Sequence, residues 1–385
     1  MRPQPTHRRA CLAFLALLFC LENLYGRWDA RTDSQDTRSH TSRNAQSLIE
    51  LPAPTGQFAV ATRIFHWTDH SRNERASSNP HDFRQLIVQV WYPTNDQSGP
   101  TEPYVPMLPA YRQAWDQAEV EVAGRAATHS RLNKPPLPGL KLPIVLLSHG
   151  WQGTRSEYTS VAEDLASRGY AVFGIDHPYM GRIVLPNGRV TEPNEDQFAS
   201  PGEIRDWYAK DVRFAIDEIA KLNARGALRG ALGLSRLAAI GHSSGFSAAG
   251  TACKLDRRIS ACVNVDAPGF SASQLTGLDQ PLLWIRLERA GPVPPDFLRN
   301  DHSTVYELQI AGANHGSIED WDYLEAKSSL DRNRAAARLQ LIRKYLAAFL
   351  GKYLQDQDPD LLRHDSSDTE LALSIYGPTP HSQPD

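Results

Sequence analysis

The sequence is poor in features that would announce a class. It holds 4 Cys and 3 Met in 385 residues, and no cysteine or histidine spacing reads as a zinc site. No long block of single-sign charge occurs, and the formal net charge is −3 at pH 7. That balance gives no reason to expect nucleic acid as a partner. No repeat of solenoid period is visible. The apolar run at the amino terminus, Ala10–Leu21, falls short of the roughly 20 residues a spanning helix needs. What is present is ordinary for a large folded chain: 41% apolar and 22% charged residues, enough for a substantial core. The length suits one large α/β domain or two small ones.

Arg8-Arg9 ahead of Ala10–Leu21 has the charged and hydrophobic regions of a secretory signal. The small-residue site is poor, with Gly26 the nearest candidate, so 1–26 is expected as a signal peptide or an uncleaved anchor. Residues 27–50 are polar and read as a disordered leader. The fold is expected over 51–354, as one catalytic domain. The acidic, Pro-containing stretch 355–385 is expected as a loosely packed tail. Cys253 and Cys262 lie beyond the signal; a disulfide and two buried thiols are both open.

Phe58–Trp67 and Gln85–Tyr92 alternate apolar and polar residues and predict an antiparallel pair. A short helix is expected around Ala110–Val122. Ile144–Leu147, Tyr170–Ile175, Ile259–Val265, Pro281–Leu287 and Thr304–Ile310 read as buried strands. Glu157–Arg168, Glu203–Leu222 and Ala335–Leu354 read as helices. Strands alternating with helices of this length predict βαβ units and a mostly parallel sheet with helices on both faces.

The chain is organised around Leu237-Ala238-Ala239-Ile240-Gly241-His242-Ser243-Ser244-Gly245. An apolar strand runs into Gly-x-Ser-x-Gly, and small residues follow. That is the pattern of a nucleophile elbow, whose tight turn exposes a serine at the carboxyl end of a sheet. A serine hydroxyl needs a base, and the base needs an orienting carboxylate. In an α/β-hydrolase the order along the chain is nucleophile, acid, base. His315, in Ala311-Gly312-Ala313-Asn314-His315-Gly316 just past the last strand, is the candidate base. Asp266 and Glu288 end successive strands, and either suits the acid. The backbone N–H groups of Trp151 and Ser244 are the candidate oxyanion donors. His149 and His242, beside these elements, read as supports rather than bases.

Ser148-His149-Gly150 after an apolar strand, Gly241-His242-Ser243-x-Gly245 and Val265-Asp266-Ala267 together resemble the secreted platelet-activating factor acetylhydrolase family. Gln280-Pro281-Leu282-Leu283 and Val90-Trp91-Tyr92-Pro93 extend the resemblance to roughly residues 56–350. The resemblance implies an α/β-hydrolase fold, no cofactor, and hydrolysis of short or oxidised acyl chains from phospholipids. It assigns Asp266 as the acid and His315 as the base. It also implies a small ester or phospholipid as the binding partner, with peripheral lipid-surface contact open. The chain departs from the family pattern at Phe246, where a second glycine is usual, and at Ser244, where a larger apolar residue is common. Both sit by the expected acyl pocket. A polyester- or dienelactone-type hydrolase is the enzymatic alternative, and a catalytically silent binding protein the alternative of another class.

Overall fold

The computed structural model describes residues 47–267, 277–299, 303–367 and 371–377; the expected signal segment and most of the leader lie outside them. Its centre is an eleven-stranded sheet. In chain order the strands are β1 (Ala59–Asn73), β2 (Phe83–Thr94), β3 (Arg131–Leu132), β4 (Leu142–Ser148), β5 (Ala171–Asp176), β6 (Leu232–His242), β7 (Ala261–Val265), β8 (Leu282–Arg286), β9 (Val305–Ile310), β10 (Ser366–Ser367) and β11 (Leu371–Tyr376). Their order across the sheet is β10-β11-β9-β8-β7-β6-β4-β5-β2-β1-β3. From β9 to β5 every neighbouring pair is parallel. The antiparallel β1–β2 pair joins through β2 to β5.

The parallel strands are near-continuous apolar runs because both faces are covered. Ile144 and Leu146 of β4 enter one core with Val212, Ile216 and Ile219 of helix α3 (Pro201–Arg225) and Ala248, Ala249 and Ala252 of α4 (Gly245–Leu255). Val145 and Leu147 point the other way, onto Val161 and Leu165 of α2 (Thr159–Ser167) and Leu339, Ile342, Leu346 and Phe349 of α5 (Ser329–Leu354). Local signals fix the helix starts: Ser200 caps α3 ahead of Pro201, and Ser328 caps α5.

Three expectations change. The single helix near Ala110–Val122 is a turn at Leu108–Tyr111 followed by α1 (Gln117–Arg125). Asp116 and Glu119 form a reciprocal capping box at 2.8 Å each way, which starts a new helix in mid-segment. The fold begins before Leu51, since Ile49–Glu50 pairs with Ala126–Ala127. The tail is not loose in its described part: β11 pairs antiparallel with β9 over six residues. Leu371 and Leu373 alternate inward and are buried, and the strand covers an edge of backbone groups that would otherwise be open.

Cys253 and Cys262 are joined as a disulfide, with Cα atoms 6.5 Å apart. The last turn of α4 lies directly on β7, so the two side chains meet in the core. Because β4 to β9 run parallel, Ser148 and Asp176 at the carboxyl ends of their strands, and Ser243, Asp266, Glu288 and His315 just past theirs, gather along one edge of the sheet.

Candidate active site

Ser243 sits in the turn between β6 and α4 with φ 52°, a left-handed conformation that is strained for a residue with a side chain. The turn is tight enough to exclude side chains on either flank. A Cβ on Gly241 would stand 2.3 Å from Phe246 Cα, and one on Gly245 would stand 2.4 Å from the carbonyl oxygens of Ser148 and His149. The Ser243 backbone N–H donates to the Val265 carbonyl at 2.9 Å, tying the elbow to β7. This is the geometry that Gly-x-Ser-x-Gly predicted.

Asp266 directly follows β7 and also has positive φ, 51°. Its side chain is fully buried. Oδ1 accepts from the backbone N–H groups of Leu287, Glu288 and Ala290, and Oδ2 accepts from that of Arg289, all at 2.8–3.1 Å. His315 Nδ1 lies 2.7 Å from Asp266 Oδ2. Burial alone would raise this carboxyl's pKa. The imidazole and the backbone donors outweigh it and hold the group well below the usual carboxylate range.

His315 opens a 3-10 turn, His315–Ile318, whose start is fixed by reciprocal bonds between Asn314 and Ser317. Among the described residues no hydrogen bond joins Glu288 to the imidazole; its Oε2 accepts from the His315 backbone N–H at 3.0 Å. With Nδ1 on Asp266, Nε2 is the ring nitrogen left to serve as a base. Among the described residues no hydrogen bond joins Ser243 Oγ to the imidazole, a contact that commonly tightens only when substrate binds.

Trp151 follows β4, and Ser244 follows the elbow serine. Among the described residues neither backbone N–H donates within the protein. Gly150 packs against the elbow so closely that a Cβ there would be 3.4 Å from Ser243 Cβ.

Both flanking histidines are buried and bonded. His149 Nδ1–H donates to the Gly150 carbonyl at 2.7 Å, and its Nε2 accepts from the His177 backbone N–H at 3.0 Å. Burial and the neighbouring His177 push its pKa down to about 3, so it stays neutral. His242 Nε2 lies 3.0 Å from the His315 carbonyl oxygen, and its Nδ1 lies 2.8 Å from Tyr158 Oη and 3.2 Å from Glu319 Oε1.

Sequence reasoning missed Tyr158, Glu319 and a second buried network. In that network His177 Nε2 meets Ser148 Oγ at 3.1 Å, and His177 Nδ1 meets Asp211 Oδ2 at 2.9 Å. The serine, histidine and aspartate imitate a catalytic order, but all are at most 1% exposed, so an ester cannot reach them. Burial would raise the Asp211 carboxyl, but Arg84 and Arg72 hold it well below the usual range. Asp176-His177-Pro178 at a strand end was the available signal; for Tyr158 there was none. Among the described residues no group of three or more His, Cys, Asp or Glu side chains is arranged to hold a metal ion.

Residues 143–368 match the family model described as alpha/beta hydrolase fold, and residues 45–181 match that of platelet-activating factor acetylhydrolase, isoform II. A probable 1-alkyl-2-acetylglycerophosphocholine esterase of Arthroderma benhamiae is 27% identical, over 83% of this chain and 92% of its own. A platelet-activating factor acetylhydrolase of Gallus gallus is 21% identical, over 81% and 86%. A ferulic acid esterase from Streptomyces cinnamoneus superposes with a TM-score of 0.72 at 27% identity, over 84% of this chain and 98% of that one. The chain belongs to the alpha/beta hydrolase fold family and, within it, is similar to the platelet-activating factor acetylhydrolases.

Proposed function

We propose that this protein is a serine carboxylic-ester hydrolase working through an acyl-enzyme on Ser243. The reading rests on one observation above all: His315 Nδ1 is held at 2.7 Å by a buried, ionised Asp266, on the sheet edge that presents the strained Ser243. Ser243 Oγ attacks the ester carbonyl as its proton passes to His315 Nε2. Asp266 stabilises the imidazolium that forms. The backbone N–H groups of Trp151 and Ser244 take the charge developing on the carbonyl oxygen. His315 then protonates the leaving alcohol as the tetrahedral adduct collapses. A water, deprotonated by the same histidine, hydrolyses the acyl-serine.

The substrate class follows the relatives: short-acyl esters, including 2-acetyl or oxidised phospholipids met at a lipid surface. The Streptomyces structure favours a second reading, an ester of an aromatic acid such as ferulate. A panel of p-nitrophenyl acetate to palmitate, a 2-acetyl phospholipid and methyl ferulate tests both. Acetate and butyrate should exceed palmitate by at least about tenfold in kcat/KM; a long-chain preference would overturn the short-acyl reading. The amino-terminal pattern supports export. Among the described residues no helix is long and apolar enough to cross a membrane.

A further inference from the structure

Three segments must keep register for this chemistry: the loop bearing Trp151, the turn bearing Ser243 and the turn bearing His315. One buried cluster touches all three. The Gly150 backbone N–H donates to Tyr158 Oη at 3.2 Å. Tyr158 Oη lies 2.8 Å from His242 Nδ1, and His242 directly precedes Ser243. His242 Nε2 lies 3.0 Å from the His315 carbonyl oxygen, and the two imidazole rings stand 4.5 Å apart, centre to centre. Tyr158 and His242 are each 1% exposed. Glu319, four residues past His315, turns back to place Oε1 3.2 Å from His242 Nδ1 and 3.4 Å from Tyr158 Oη.

The chemistry fixes the polarity of this chain. A carbonyl oxygen only accepts, so His242 Nε2 carries a proton and donates to His315. Nδ1 faces two oxygens, the Tyr158 hydroxyl and the Glu319 carboxylate. Either the Tyr158 hydroxyl donates to Nδ1, or Nδ1–H donates to the Glu319 carboxylate. In both arrangements Nε2–H stays on the His315 carbonyl.

We propose that Tyr158, His242 and Glu319 are positioning residues that brace the base against the nucleophile and the oxyanion loop. The proposal rests on the serine-hydrolase reading above. Apart from its backbone N–H on Glu288 and the bonds of its own 3-10 turn, His315 is held among the described residues by two side chains, Asp266 on its ring and His242 on its carbonyl. Releasing the second lets the turn shift while Asp266 still holds Nδ1. Misplacement of about 1 Å can cost about a hundredfold in rate, and it falls on kcat because the brace touches no substrate.

The test compares His242→Asn, His242→Gln, Tyr158→Phe and Ser243→Ala in the full chain. Each is assayed for kcat and KM on p-nitrophenyl butyrate, for Tm and for labelling by a fluorophosphonate. The Gln amide nitrogen reaches the place of Nε2 and keeps the donor to His315; the shorter Asn side chain does not. His242→Asn should lower kcat about a hundredfold with KM within about threefold, and His242→Gln should recover at least about tenfold of that loss. Tyr158→Phe should lower kcat about tenfold. A merely structural histidine would make Asn and Gln equivalent. Equal loss in the two, or kcat within about twofold of wild type in both, overturns the brace, whereas Ser243→Ala remaining active overturns the hydrolase reading. Should the His242 variants fail to fold, imidazole 15N spectra of the wild type decide: the brace requires a proton on His242 Nε2, and an unprotonated Nε2 refutes it.

Discussion

Asp266 and Glu288 hold the same histidine by different atoms. Asp266 Oδ2 lies 2.7 Å from His315 Nδ1, while Glu288 Oε2 accepts from the His315 backbone N–H at 3.0 Å. The acid that orients the ring is thus separated from the acid that anchors the turn. Glu288→Gln keeps an oxygen able to accept from that N–H, so hydrolysis should change by less than about tenfold. Asp266→Asn removes the charge facing the imidazolium and should cost about a thousandfold or more in kcat. A crippled Glu288→Gln beside a nearly normal Asp266→Asn would move the acid to the later strand.

Asp266→Asn should also lower stability, because its amide must face backbone N–H groups that now donate to carboxylate oxygens. The sign with pH follows from the direction of the shift. The folded pKa lies below the unfolded value of about 3.9, so the stabilisation is present above that pH and fades as pH falls through the folded value. Urea unfolding should show a wide gap between wild type and variant at pH 7 and a narrower one near pH 3. A gap that widened on acidification would contradict the assignment.

Asp320 has the opposite sign. Burial dominates its surroundings and pushes its carboxyl up to about 7, against hydrogen bonding from Ser160. The folded state therefore keeps a proton that the unfolded state has released, and stability falls as pH rises from about 4 to 7. Asp320→Asn is neutral in both states. Relative to wild type it should gain on the order of 3 kcal/mol between pH 4 and 7.5, read from urea unfolding at the two pH values. Parallel pH trends in the two proteins would refute this.

The bridge between Cys253 and Cys262 closes a loop of nine residues. On the chain-entropy account, the double alanine variant should lose about 2.5 kcal/mol of stability. Ester turnover should survive below its lowered Tm, since neither sulfur faces the candidate site. Loss of turnover in the folded variant would show that the bridge sets the elbow itself.

The elbow was legible because its constraint is local: two glycines where backbones touch, and an apolar strand before them. His315 was legible from its place just after the strand Val305–Ile310. The choice between Asp266 and Glu288 was not decided by the residues alone, because two neighbouring strands each end in a carboxylate. The imidazole selects one only through the direction in which Asp266 emerges from its left-handed turn. Tyr158 and Glu319 left no sequence signal because their partners lie 84 and 77 residues away along the chain, at His242. The strand at Leu371–Tyr376 was obscured by polar flanks and appears only with its partner β9.

The central claim is that Ser243 is the nucleophile. A fluorophosphonate should react to about one equivalent, the adduct should map by peptide sequencing to Ser243, and esterase activity should fall in step with labelling. Ser243→Ala should fold, resist the probe, and lose about four to six orders of magnitude in kcat/KM. Stoichiometric labelling at another residue, or a Ser243→Ala variant within about tenfold of wild-type activity, would contradict the account.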